Sequence, residues 1–199
     1  MTGRSRRRGE ELLAALHEAV LAELDEVGLG RLTMEGIARR AGTPKTTLYR
    51  RWSGPEEVLF DAIAAAYPVE EPSPAADDLR GDLIAALQLM LAWSRHPTAR
   101  AVQAIMQERH RHPDLVARLY RIFDRAGRRF TATVLHHYAR LGHLDPALVT
   151  PVVEDIGEAL VFKLAFDTGD EPTAERLAEI VDQAILPAVG IRPAQRARE

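Results

Sequence analysis

The chain repeats apolar residues with helical periodicity over most of its length. In the first predicted helix these residues recur at intervals of three and four and share one face: Leu13, Leu16, Val20, Leu24 and Val27. Gly28 and Gly30 follow and predict the end of that helix.

Two shorter helices are predicted next, joined by a tight turn. Thr33 is placed to cap the second helix, which Gly42 ends. Thr43 is placed to cap the third helix, with Pro44 at its first position, where no amide donor is needed. A fourth helix is predicted from Pro55, and the proline-rich stretch "YPVEEPSPAAD" cannot continue it.

The remainder of the chain predicts more helices and no strand alternation. They cover about 77–95, 98–109, 113–141 and 151–166, with Thr150 placed to cap the helix over 151–166 and Thr173 placed to cap a last helix. We therefore expect an all-α fold with a three-helix head and a larger helical body. The predicted divisions are a basic disordered arm, residues 1–8, a head, residues 9–56, and a body, residues 57–199.

Charge is distributed unevenly along this acidic chain, whose net charge is −3. Residues 9–30 carry six carboxylates and no lysine or arginine, whereas residues 31–53 carry six basic residues against Glu35 alone. Cysteine is absent, and the histidine pairs lack a third ligand at helical spacing, so no metal or cofactor is expected. With no apolar run near the roughly 20 residues of a membrane span and no signal peptide pattern, we expect a cytoplasmic protein.

The third predicted helix has two chemically different sides. At about 100° per residue, Leu48 faces the second helix, and the opposite arc combines cations with hydroxyl groups: Lys45, Thr46, Tyr49 and Arg50. Such side chains neutralise phosphates and contact bases, so the pattern predicts a helix-turn-helix that binds DNA. The alternative is a solvated basic face without a partner.

The run "TMEGIARRAGTPKTTLYRRW", between "VGLGRL" and "SGPEEVLFDAI", resembles the DNA-binding head of TetR-type transcriptional repressors. The resemblance implies a homodimer that binds a palindromic operator and is released by a small ligand in the C-terminal domain. It assigns DNA contacts to Thr33, Lys45, Thr46, Tyr49 and Arg50, to which we add Thr43 at the start of the third helix. Trp52 takes the place of a packed aromatic residue, and Pro55 stands where many members have a phosphate-binding lysine.

The predicted body lacks enzymatic motifs, so we expect no enzyme activity. Phe123, Phe130 and His137 recur every seven residues on one face of the long helix predicted over 113–141, and Met90 and Trp93 lie three apart on another. Such residues usually form core, but the resemblance favours a ligand cavity here. These five residues are the predicted contacts of an apolar or amphipathic effector, with the His137 imidazole as its polar anchor.

Apolar faces on the last two predicted helices favour a homodimer. They comprise Val153, Ile156, Gly157, Leu160 and Leu164, and then Leu177, Ile180, Val181 and Ala184. The alternative is packing within one chain. The sequence thus predicts a ligand-responsive repressor that binds operator DNA as a homodimer; the alternative is a constitutive DNA-binding protein whose body only dimerises.

Overall fold

The structure is a computed structural model that describes the backbone of residues 3–126 and 130–191 and the side chains of residues 9–123 and 130–191. These residues contain helices, turns and loops but no strand, which confirms the predicted all-α class. The α-helices are α1 Gly3–Val27, α2 Met34–Arg40, α3 Lys45–Tyr49, α4 Pro55–Ala66, α5 Leu79–Ser94, α6 Pro97–Gln107, α7 Pro113–Ala126, α8 Phe130–Arg140, α9 Pro151–Thr168, α10 Ala174–Ile180 and α11 Leu186–Ala188. A π-helical turn, Val181–Ile185, joins α10 to α11.

Threonine and proline define the helix starts much as the sequence predicts. The hydroxyl oxygens of Thr33, Thr150 and Thr173 each accept a hydrogen bond from the amide three residues ahead, so all three threonines are N-caps. Pro55 and Pro151 occupy first-turn positions, where their missing amide proton costs nothing.

The N-terminal segment differs from the prediction, because α1 begins at Gly3. The sequence predicts a disordered arm over residues 1–8, but arginine has a high helix propensity, and Gly9, the one glycine between the arginines and the apolar stripe, costs only about 1 kcal/mol within a helix. The side chains of Arg4 to Arg8, and thus any contact they make with DNA, lie outside the described residues.

The chain forms two compact units, which divide the sequence differently from the predicted domains. The first comprises residues 1–67 and 94–122, and the second comprises residues 68–93 and 123–199. The functional boundary between residues 56 and 57 stays a prediction.

The first unit is built around α1, which packs against α2, α4 and α6. Leu16, Val20 and Leu24 of the predicted stripe are buried there, and each contributes about 1.5–3 kcal/mol by leaving water. The Arg118 guanidinium lies 4.5 Å from the centre of the Phe60 ring, so the N-terminal part of α7 also packs on α4.

The second unit packs α8 and α10 with its π-helical turn against α9. Gly157 on α9 permits this close approach: a Cβ added there would lie 3.0 Å from Ile185, 3.1 Å from Leu87 and 3.1 Å from Thr131. The core of the second unit therefore depends on a small residue in the middle of α9.

The single helix predicted over residues 113–141 is wrong. The structure has two helices, α7 and α8, and Phe130 at the start of α8 has a φ of +38°, which a continuous right-handed helix does not contain. The seven-residue repeat of Phe123, Phe130 and His137 therefore does not define one face of one helix.

Candidate nucleic-acid interface

The turn between α2 and α3 is formed by Gly42, whose φ of +61° suits glycine. The amide of Thr43 donates to the carbonyl of Ala38 at 3.0 Å, and the amide of Gly42 donates to the carbonyl of Arg39 at 3.2 Å. These two bonds are those of a Schellman motif, which ends α2 and turns the chain toward α3.

The predicted cap of α3 is wrong. Pro44 has an extended ψ of 138° and itself occupies the N-cap position, so α3 begins at Lys45 and no side chain caps it. Thr43 therefore lies one position before the cap, and its amide serves the preceding turn instead.

The two sides of α3 are separated as the sequence predicts. Leu48 is fully buried, and Trp52 is buried just beyond the helix. The residues of the polar arc, namely Lys45, Thr46, Tyr49 and Arg50, are all exposed, and half of the Tyr49 side-chain surface is open to water. The structure thus brings four of the six predicted DNA-contacting residues to one exposed face, referred to below as the polar arc.

The other two predicted DNA contacts, Thr33 and Thr43, lie at the helix ends. Thr33 is exposed, but its hydroxyl oxygen already accepts the Gly36 amide at 3.1 Å. Thr43 is half-buried. A contact from Thr33 to DNA would use the hydroxyl proton, because the oxygen serves the cap.

Internal ion pairs neutralise part of the basic charge of the head. The carboxylate of Glu23 on α1 is buried and accepts hydrogen bonds from Arg40 at 3.0 Å and from Arg39 at 3.4 Å. Arg40 also donates a hydrogen bond to Glu26. The bond to Glu26, followed by the bond to Glu23, raises the pKa of the Arg40 guanidinium. The acidic stretch before residue 31 and the basic stretch after it are therefore partners within one fold.

Lys45 in the polar arc has a carboxylate partner as well. Its Nζ lies 3.1 Å from Oε1 of Glu35 on α2, and this hydrogen bond lowers the pKa of the Glu35 carboxyl. Both side chains are more than half exposed, so a phosphate can replace the carboxylate at little cost. Arg51 stacks over the Trp52 ring at 5.3 Å, whereas Arg50 is exposed.

The predicted effector-binding residues all lie in the second unit, but they serve different roles there. The Trp93 and Phe130 rings are 6.2 Å apart, Met90 is buried, and Phe123 is half-buried. Nε2 of His137 lies 2.9 Å from the carbonyl oxygen of Ser73, so its imidazole already has a polar partner within the chain. Their role as ligand contacts stays a prediction.

Sequence reasoning missed two buried polar anchors of α8. Glu70 is buried, and its carboxylate accepts the Phe130 amide at 2.8 Å and the Thr133 hydroxyl at 3.2 Å. The Tyr138 hydroxyl donates a hydrogen bond to Asp82 at 2.7 Å. Burial, and to a smaller extent this hydrogen bond, raises the pKa of Tyr138. The signal available in the sequence was the cluster of acidic residues that follows α4.

The apolar faces expected to form the dimer contact are only partly buried within one chain: Leu160 is 37% exposed, and Val153, Ile156, Leu164 and Ala184 are half-buried. Leu177, Ile180 and Val181 are buried, and so is Gly157, because the second unit uses these residues for its own core. Three further exposed apolar residues of α9 were not predicted from the sequence: Val152 is 76% exposed, Phe162 53% and Phe166 90%.

The geometry described above defines a helix-turn-helix protein, and comparison with known families gives the same result. The family model described as bacterial regulatory proteins, tetR family, matches residues 16–63, and the tetracyclin repressor-like, C-terminal domain matches residues 73–184. Because the second match alone spans more than half of the chain, the chain belongs to the TetR family of transcriptional regulators. Proteins of this family regulate transcription and are not enzymes.

Individual relatives agree with this assignment. An uncharacterized HTH-type transcriptional regulator of Mycobacterium bovis is 26% identical over 183 residues, which cover 92% of this chain and 88% of the relative. The DNA-binding transcriptional repressor TetR of Mycobacteroides abscessus is 37% identical over 86 residues, covering 42% of this chain and 44% of the relative.

A crystal structure described as a TetR-family transcriptional regulator from Mesorhizobium loti has a TM-score of 0.60 and 17% identity, with 92% of this chain and 97% of that chain covered. At that identity the likeness shows a shared fold alone. Within the described ranges, no helix is both long and apolar enough to cross a lipid bilayer.

Proposed function

We propose that this chain is a ligand-responsive transcriptional repressor that binds a palindromic DNA operator as a homodimer and is released by a small-molecule effector. The observation that carries the proposal is the polar arc of α3, which is exposed while Leu48 on the opposite side is fully buried. A short helix fixed to the head through one side, with cations and hydroxyls on the other, suits the major groove.

Each residue of the polar arc has a distinct proposed role. Lys45 and Arg50 neutralise phosphates, the Tyr49 hydroxyl bonds a backbone oxygen, and Thr46 contacts a base edge or a thymine methyl. Lys45 exchanges its Glu35 partner for a phosphate when DNA binds. Breaking the ion pair with Glu35 costs the same free energy on every DNA sequence. Discrimination between operator and other DNA therefore depends on the other contacts.

The test compares Thr46→Ala with Lys45→Ala in operator and random-sequence duplexes across a salt series. Thr46→Ala should lower the preference for operator by about 1–3 kcal/mol, because a base contact is lost. Lys45→Ala should weaken binding to both duplexes alike and reduce the salt slope by about one unit, because a phosphate contact is lost. Arg109→Ala removes an exposed cation outside α3 and serves as the control.

Unchanged operator affinity in both α3 variants, with circular dichroism showing intact folds, would contradict the assignment. Equal losses in Arg109→Ala would show that the effect reflects general charge rather than the polar arc.

The exposed face of α9 supports the homodimer. At about 100° per residue, Val152, Phe162 and Phe166 fall within one arc of roughly 80° on that helix. Contiguous exposed apolar surface is uncommon on monomeric proteins, so this face supports a protein–protein interface. A second copy of the chain is the occupant we propose, since a palindromic operator presents two identical half-sites, about 34–36 Å apart, to a two-fold symmetric dimer.

Effector release requires only modest coupling. A tenfold loss of operator affinity corresponds to about 1.4 kcal/mol, which lies within the usual allosteric range. A compound that weakens operator binding would separate this proposal from a constitutive DNA-binding protein. A cytoplasmic site of action is part of this proposal, because an operator-binding protein acts where the genomic DNA is.

A further inference from the structure

The second unit contains a cavity of about 200 Å³ between the segment that follows α4, helix α5 and helix α8. None of the five predicted effector-binding residues lines it. Its lining combines an apolar wall, including Ala86, Leu89 and Val134, with the carboxylates of Glu70, Glu71 and Asp82.

The carboxylates of this cavity have no cationic partner within the described part of the chain. Between residues 68 and 93 the sequence contains a single basic residue, Arg80, and its guanidinium binds Asp182 at 2.6 and 2.9 Å. Glu70 is only 7% exposed and accepts its hydrogen bonds from neutral donors. A cation that enters the cavity would compensate the desolvation cost of this carboxylate, whereas an anion would increase it.

The same carboxylates hold α8 at two points. Glu70 binds the amide of Phe130 at the first residue of the helix, and Asp82 binds the hydroxyl of Tyr138 near its end, at 2.7 Å. Asp82 also accepts the Ser73 amide at 2.8 Å, which ties the segment after α4 to α5. A ligand that redirects either carboxylate therefore changes how α8 is anchored.

We infer that this cavity binds the cationic group of a small amphipathic molecule, with the apolar part of the ligand against Leu89 and Val134. This inference rests on the proposed function, because it names the chemical class of the effector. The small volume favours a compact cation, such as an ammonium group carried on a single ring, over a large polycyclic compound.

Binding is tested on the full chain without DNA, by equilibrium dialysis against benzyltrimethylammonium and its uncharged isostere neopentylbenzene. The cation should bind at least about tenfold more tightly than the isostere, because only the cation gains from the carboxylates. Glu70→Gln and Glu71→Gln should each reduce binding of the cation severalfold and leave binding of the isostere unchanged. Glu175→Gln, an exposed glutamate of the same unit, is the matched control and should bind like the unmodified protein.

The Glu71 variant keeps the test decisive if Glu70→Gln fails to fold, because Glu71 is exposed. Equal affinity for the two probes, or an unchanged preference for the cation in both glutamine variants, would overturn the inference. A parallel operator-binding assay separates the two proposals. Release of DNA by uncharged compounds alone would support the proposed function and overturn the inference. Binding of the cation that depends on the carboxylates but does not release DNA would support the cavity as a cation site and contradict its role as the effector site.

Discussion

Replacing Gly36 with alanine tests how the buried carboxylate of Glu23 organises the helix-turn-helix head. A Cβ added at Gly36 would overlap Oε1 of Glu23 and lie 2.7 Å from its Cδ atom. Glu23 is 3% exposed and receives a hydrogen bond from Arg40, so its side chain cannot move aside without losing that partner. We therefore expect Gly36→Ala to displace Glu23 and to destabilise the fold.

The expected loss follows from two opposing effects. A buried charged group that loses its partner costs about 3 kcal/mol, and alanine gains about 1 kcal/mol over glycine inside a helix. The free energy of unfolding should thus fall by about 2 kcal/mol. Gly9 in α1 has nothing within 4 Å of an added Cβ, so Gly9→Ala, the matched control, should raise the free energy of unfolding by up to about 1 kcal/mol.

The assay is urea unfolding followed by circular dichroism at one fixed protein concentration, because association of subunits would couple to stability. A double-mutant cycle isolates the cause. In a Glu23→Ala background, Gly36→Ala should become neutral or stabilising. If the alanine destabilises the two backgrounds equally, the overlap with Glu23 is not the cause of the loss.

Three further outcomes are expected. Glu35→Gln should strengthen binding to random-sequence DNA by up to about fivefold at low salt, because it frees Lys45; anisotropy titrations that show no change contradict this. Phe166→Glu should give monomers in sedimentation and lose operator binding, whereas Tyr120→Glu, at an aromatic residue of α7 that is 48% exposed, should not. A dimeric Phe166 variant would locate the interface elsewhere. Because the pKa of Tyr138 is raised in the folded state, the unfolded state releases the Tyr138 proton first as pH rises above about 10, and the free energy of unfolding should fall there. Tyr138→Phe should lack this fall. Urea unfolding between about pH 9 and pH 11 that gives the same pH dependence for both proteins would disprove the prediction.

The elements of this protein could be read from the sequence where their signals are local. Thr33, Thr150 and Thr173 cap helices through amides only three residues away, and the wheel position of Leu48 separates the two sides of α3 within one turn. A cap or a helical face depends on a few neighbouring residues, so composition and spacing suffice to predict it. Even so, the predicted N-cap of α3 is Thr43 and the observed N-cap is Pro44, so a helix boundary predicted from sequence can be displaced by one residue.

Features that join distant parts of the chain were decided by tertiary structure. The sequence shows apolar faces on the last helices but not which of them are covered, and the packing that buries Leu177 leaves Phe166 in water. The positive φ of Phe130 at the start of α8 accompanies a hydrogen bond from its amide to Glu70, 60 positions earlier. Likewise, Glu23 neutralises arginines 16 and 17 positions away, because charges pair by distance in space. Local pattern determined most helix starts and the chemistry of the polar arc, whereas the division between α7 and α8, burial and charge pairing required the folded chain.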